Sequence, residues 1–161
     1  MNKYKIGLVI GRFQPFHKGH EFLLNESLKL CDKIIIGIGS SNKNNDDNPW
    51  SASERKKILE KFIEENGYQD RIVKIVKLYD DPDDNIWFRN LYKKTGPFDV
   101  TIGNNDWNNG IIEGHGIPAI KHGFSNRHIW EGIQIRDLMR GKKSWKDRVP
   151  SYLVPLVKNS I

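Results

Sequence analysis

The chain alternates short apolar runs with longer stretches whose apolar residues recur at helical spacing. Residues 5–10 (KIGLVI) are almost wholly apolar and stop at Gly11, which predicts a strand buried on both faces. Residues 34–38 (IIIGI), 72–76 (IVKIV) and 99–102 (DVTI) repeat the pattern, and residues 117–120 (IPAI) form a weaker fifth candidate. Between the first two runs, residues 21–31 set Phe22, Leu23, Leu24, Leu28 and Cys31 at helical spacing. Ser51 stands three positions before Glu54, a capping box that opens a second helix carrying Ile58, Leu59, Phe62 and Ile63. Gly67 is its natural stop. Residues 86–93 and 134–140 predict two more helices, and residues 151–161 a short closing one. Strand following helix in this way predicts an α/β fold, a Rossmann-like doubly wound parallel sheet of about five strands. We expect one domain over residues 1–161 with a short C-terminal helical segment.

Composition narrows the setting. With 161 residues the chain can bury a core without staples. Cys31 is the one cysteine, so an internal disulfide is excluded and a small buried hydrophobe is expected instead. Mean hydropathy is −0.63, and no apolar run approaches the roughly 18 residues of a membrane span. The first residues, MNKYKIGLVIGRF, lack the apolar core and cleavage site of a signal peptide, so a cytoplasmic location is expected. Twenty-six basic against 20 acidic residues give a net charge of +6. That surplus fits nucleic acid, an anionic membrane surface or a small polyanionic substrate. The basic residues are spread along the chain, with one modest cluster at residues 140–143 (RGKK) and no nucleic-acid motif.

The chemistry concentrates where the first strand ends. Residues 11–20 (GRFQPFHKGH) run directly into the first helix. In an open parallel sheet ligands bind at the carboxyl ends of strands, where helix N-termini offer unpaired N–H groups to phosphate. Arg12, His17, Lys18 and His20 fall within nine positions, and His17 and His20 are three apart, so both can face one anion. Gly19 removes a side chain where a ligand would approach the backbone. Two histidines with no further cysteine or histidine nearby make a weak zinc site, and no protein-held metal is expected. Trp87 is either core or a platform for a flat ring. Arg136 offers a planar fork to phosphate oxygens, or else an exposed pair with Asp137. Arg55 lies in a first helical turn, where a cation is disfavoured, and pairing with Glu54 or another acid is the expectation. The acidic run of residues 80–84 (DDPDD) reads as a solvated loop, with positioning of a ribose or cation as the alternative.

The segment GRFQPFHKGH resembles the signature of archaeal-type nicotinamide-nucleotide adenylyltransferases, within the HxGH nucleotidyltransferase superfamily. The likeness continues through Gly37-Ile38-Gly39-Ser40, Asn48-Pro49-Trp50, Ser53-Glu54-Arg55, Asp84-Asn85-Ile86-Trp87, Phe98-Asp99-Val100, Ile135-Arg136 and Arg148-Val149-Pro150. It departs at Glu131-Gly132-Ile133, where the family carries hydroxyl residues ahead of the arginine. The resemblance implies an HxGH-type fold and an enzyme that joins nicotinamide mononucleotide to ATP, giving NAD and pyrophosphate. It implies catalytic roles for His17, His20 and Arg136, and ATP contacts from Gly11, Arg12, Phe13, Gly19 and Arg136. Asn85 and Trp87 would then bind the mononucleotide, Mg²⁺ would accompany ATP, and the chain would form a homo-oligomer without nucleic-acid or membrane partners. Another phosphorylated acceptor (FMN, phosphopantetheine or a phosphorylated alcohol) and a non-catalytic nucleotide-binding module are the alternatives.

Overall fold

Leu8 and Val9 are neighbours in the first strand and both are sealed from solvent, yet they belong to different cores. The computed structural model describes residues 2–122 and 131–157. Its strands are β1 (Tyr4–Gly11), β2 (Cys31–Ile38), β3 (Ile72–Lys77), β4 (Val100–Ile102) and β5 (Ala119–Ile120). All pair in parallel, in the order β3-β2-β1-β4-β5. The helices are α1 (Lys18–Leu30), α2 (Ala52–Asn66), α3 (Asp84–Thr95), α4 (Asp106–Gly114), α5 (Gly132–Arg140) and α6 (Val154–Val157).

Side chains alternate across a strand, so a sheet covered on both faces needs apolar residues at successive positions. Val9, Ile34, Ile36 and Ile38 pack with Leu24 of α1, Phe62 of α2 and Val157 of α6. Leu8 and Ile35 pack on the other side with Trp87 and Leu91 of α3 and Ile112 of α4. The chain steps outward from β1 to β2 and β3, then crosses back to lay β4 against the free side of β1. That reversal opens a crevice beyond the carboxyl ends of β1 and β4, the place where this architecture holds ligands.

The expected strands and the capping box at Ser51 are present, and Gly67 closes α2 in the left-handed conformation (φ 67°). Five details differ. Cys31 is the first residue of β2 rather than the last of α1, because its extended backbone (φ −123°, ψ 145°) already pairs with Tyr4. Strand β4 begins at Val100, since the Asp99 carboxylate instead accepts from the Ile6 amide at 2.9 Å. Strand β5 is only two residues long, preceded by Pro118, which has no N–H to give. Helix α4 was not expected, because its sequence DWNNGIIEG is rich in poor helix formers. The Asn105 side chain caps it by accepting from Asn108, and Ile112 anchors it in the core. Of the expected closing helix, residues 151–157 form a 3-10 turn and α6, while residues 158–161 lie outside the described residues. Among the described residues no helix is long and apolar enough to cross a membrane.

Candidate active site

Helix α1 is capped by histidine. His17 is the N-cap, and its Nδ1 accepts from the Gly19 amide at 3.1 Å. The His17 amide donates in turn to Nδ1 of His20, also at 3.1 Å. Two imidazoles thus perform the reciprocal exchange that a serine and a glutamate make in an ordinary capping box. With Nδ1 serving as acceptor in both rings, the hydrogen-bond network puts the proton of each neutral ring on Nε2. The rings stack with centroids 3.7 Å apart. Burial foremost, then the neighbouring His20 and Arg136, pushes the His17 pKa well below its ordinary value. Burial and Arg12 bring that of His20 down to about 3. Both are neutral hydrogen-bonding groups near neutral pH, and they carry no charge to the site.

The cationic charge comes from elsewhere in the chain. Arg136 on α5 is 3% exposed, and its guanidinium donates to the Gln14 carbonyl at 2.6 Å. Its Nε is buried with no hydrogen-bond partner among the described residues. Burial, then Arg12 and Arg140, lowers its pKa, with Asp47 and Asp137 acting in the opposite sense. The exposed pair with Asp137 that the sequence left open is not what forms. Gln14 is a rigid anchor because its side-chain amide both donates to the Trp50 carbonyl and accepts from the Trp50 amide, each at 2.9 Å. Gly132, at the start of α5, leaves room for this contact. A Cβ there would lie 3.0 Å from both the Gln14 carbonyl oxygen and the Arg136 guanidinium.

These groups line one cleft of about 450 Å³ at the switch point of the sheet. Gly11, Arg12, Phe13, His17, His20, Trp87 and Arg136 all reach it. Phe13 and Ser40, which follow β1 and β2, both line it with left-handed backbones (φ 54° and 52°). For non-glycine residues such conformations cost of order 1–3 kcal/mol and persist only where the surroundings enforce them. Gly19 and Lys18 do not line the cleft; Gly19 acts through its hydrogen bond to His17. Asn85 lies in an adjoining cleft with Asp84, Asp106 and Trp107. A third cleft joins the two, with Trp87, Trp107, Asp80 and Asn108 along it.

Sequence reasoning missed several cleft residues. Asn104, Asn105 and Asn108 surround the end of β4, and the side-chain oxygen of Asn104 is buried without a partner among the described residues. Their position just after the short strand run of residues 99–102 (DVTI) was the available signal. Arg55 was expected to pair with an acid and does not. Glu54 turns back to the Ser51 amide, while the Arg55 guanidinium, fully buried, donates only to backbone carbonyls.

A donor-lined cleft at the switch point of a five-stranded parallel sheet places this chain among the nucleotide-binding α/β proteins. The cytidylyltransferase-like family model matches residues 8–147, and the chain belongs to that family. The nicotinamide-nucleotide adenylyltransferase of Picrophilus torridus is 33% identical over 151 residues, covering 92% of this chain and 88% of the relative. That of Methanolobus tindarius is 30% identical over 149 residues, covering 92% and 84%. In structure, the chain superposes on a bifunctional NMN adenylyltransferase/ADP ribose pyrophosphatase from Francisella tularensis with a TM-score of 0.76 and 23% identity. The superposition covers 98% of this chain, which spans 52% of that one. A further structure of that bifunctional protein, in complex with AMP and a manganese ion, gives a TM-score of 0.73 at 24% identity. These structural likenesses describe the fold.

Proposed function

We propose that the chain joins nicotinamide mononucleotide to ATP, forming NAD and releasing pyrophosphate, with residues 1–161 acting as one nucleotidyltransferase domain. The observation that carries this reading beyond the family is the set of donors gathered in one cleft. Two neutral imidazoles with Nε2 protons stand beside a buried guanidinium whose Nε lacks a partner. Such a site favours an oligophosphate, and although the Ser40 hydroxyl donates to the Asp80 carboxylate at 2.8 Å within the cleft, the reaction asks no nucleophile of the protein.

None is needed. A phosphate oxygen of the mononucleotide is ionised near neutral pH and attacks the α-phosphorus of ATP, while the bond from that phosphorus to the bridging oxygen of pyrophosphate breaks. The protein's work is to align two anions and to stabilise charge on the α-phosphate and the departing group. His17 and His20 donate to the phosphates from Nε2, and Arg136 clamps the β and γ groups. Arg12 adds charge at the mouth, and Gly11, Phe13 and Gly19 shape the backbone around the nucleotide. Trp87 stacks on the nicotinamide, with Asn85 in the adjoining cleft as a polar contact. ATP enters as its Mg²⁺ complex, the ion travelling on the phosphates as part of the substrate. A homo-oligomer in the cytoplasm is the setting we propose.

The test is to incubate purified protein with Mg-ATP and the mononucleotide, follow pyrophosphate and identify the dinucleotide. NAD is the expected product. Formation of a different dinucleotide from a panel of phosphorylated acceptors, or none, would overturn the reading.

A further inference from the structure

Arg55 is fully buried in the first turn of α2, where the positive end of the helix disfavours a cation. A buried cation without an acid partner is costly unless its donors are satisfied. No carboxylate forms an ion pair with Arg55 among the described residues. Its donors go instead to the carbonyls of Arg12 and Gly39, both at 2.8 Å, of Ser40 at 3.4 Å and of Ser51 at 3.3 Å. Three of these belong to the loops that leave β1 and β2. The same loops are joined directly by the Gly39 amide, which donates to the Gly11 carbonyl at 2.8 Å.

The choice of carbonyls is informative. The Arg12 carbonyl belongs to the peptide that ends in the Phe13 amide, and the Gly39 carbonyl to the peptide that ends in the Ser40 amide. Phe13 and Ser40 are the two left-handed non-glycine residues lining the cleft. In a trans peptide the N–H points opposite to the C=O. A guanidinium that holds both carbonyls on its own side therefore turns both amides the other way.

Resting on the reading of the cleft as an ATP site, we infer that Arg55 is a positioning residue. Its guanidinium clamps the loops after β1 and β2 so that the Phe13 and Ser40 amides are presented to the phosphates of ATP. One nitrogen, Nη1, donates to both the Arg12 and Gly39 carbonyls, and the planar group fixes its direction through Nε on the Ser51 carbonyl and Nη2 on the Ser40 carbonyl. A lysine supplies the charge without that geometry.

The experiment compares wild-type protein with Arg55→Lys, measuring Mg-ATP binding by calorimetry and steady-state kinetics with each substrate varied. For R55K, kcat/KM for ATP should fall about a hundred-fold, while KM for the mononucleotide stays within about two-fold. Adding Ser40→Gly to R55K should recover part of the loss relative to S40G alone, since glycine adopts positive φ freely. Wild-type ATP binding and turnover in R55K would overturn the inference, as would equal losses toward both substrates. If R55K does not fold, a crystal structure of the wild-type protein with a non-hydrolysable ATP analogue decides. A phosphate oxygen should lie within about 3.5 Å of the Phe13 or Ser40 nitrogen, and its absence there overturns the inference. A wild-type protein that binds ATP but makes no NAD refutes the proposed reaction and leaves the binding comparison to judge Arg55. One that binds no ATP refutes both.

Discussion

The backbone amide of His17 donates to Nδ1 of His20, and this one bond ties the tautomer of a cleft residue to the start of a helix. Protonating His20 would remove the acceptor and break the cap. The ring is held neutral by burial and by Arg12, so its pKa of about 3 lies below the ordinary 6.5.

This sets the sign of a pH effect on stability. Between about pH 6.5 and pH 3 the unfolded chain binds a proton at His20 that the folded chain does not. Stability therefore falls as pH drops through 6.5 toward 3. From about pH 7 to about pH 5 we expect a loss of about 2 kcal/mol from His20. His17 shifts the same way and adds to it. Urea unfolding of wild type and His20→Gln at both pH values checks this, the variant showing the smaller loss.

Between about pH 6 and pH 8 neither imidazole titrates, so turnover there should follow only the ionisation of the substrate phosphates, whose second pKa is about 6. A limb that the phosphate ionisations of the two nucleotides do not account for would show that a histidine changes charge during catalysis.

His20→Ala removes a donor aimed at developing charge. We expect kcat to fall by about two to three orders of magnitude with the far-ultraviolet circular dichroism preserved. Turnover near wild type in a folded variant would remove His20 from the mechanism.

Arg136→Lys keeps a cation and loses the fork that reaches Gln14. The KM for ATP should rise about ten-fold or more, with a smaller effect on the mononucleotide. Equal effects on both substrates would contradict a clamp on the triphosphate.

Trp87 is 8% exposed and packs in the core with Leu8 and Leu91, so the core reading of it holds, and it also lines the cleft. Trp87→Ala should cost about 3–5 kcal/mol of stability, read by denaturant unfolding. In the fraction that remains folded it should raise KM for the mononucleotide more than for ATP, by about 1–3 kcal/mol. Trp87→Phe separates the two effects by keeping a ring in place.

The sheet was legible because a strand buried on both faces has no freedom in composition: Leu8, Val9, Ile34, Ile35 and Ile36 must all be apolar. The first loop was legible because its histidines and arginine lie within a few positions of one another. Helix α4 was not, since its order comes from the Asn105 cap and the seat of Ile112 rather than from propensity. Arg55 was misread because partner choice depends on tertiary contacts. From the sequence Glu54 is adjacent, but in the fold it is occupied by the Ser51 amide, and carbonyls from two distant loops take its place. Glu131-Gly132 looked like a loss of phosphate-binding hydroxyls. The fold gives Gly132 a positive reason, because a side chain there would press on the Gln14 carbonyl and the Arg136 guanidinium where α5 sits against Gln14.

That seat joins positions 122 residues apart, Gln14 near the beginning of the chain and Arg136 near its end. Strands β1 to β5 can pair before α5 exists, but the wall of the cleft cannot close. A growing or clipped chain that stops short of residue 136 would lack Arg136 and also Val149, Leu153 and Val157, which cover one face of the sheet, and would hold no triphosphate. ATP occupancy is thus a readout of the contact between Gln14 and Arg136, and a nucleotide that binds only the chain that makes it would stabilise that state selectively against unfolding.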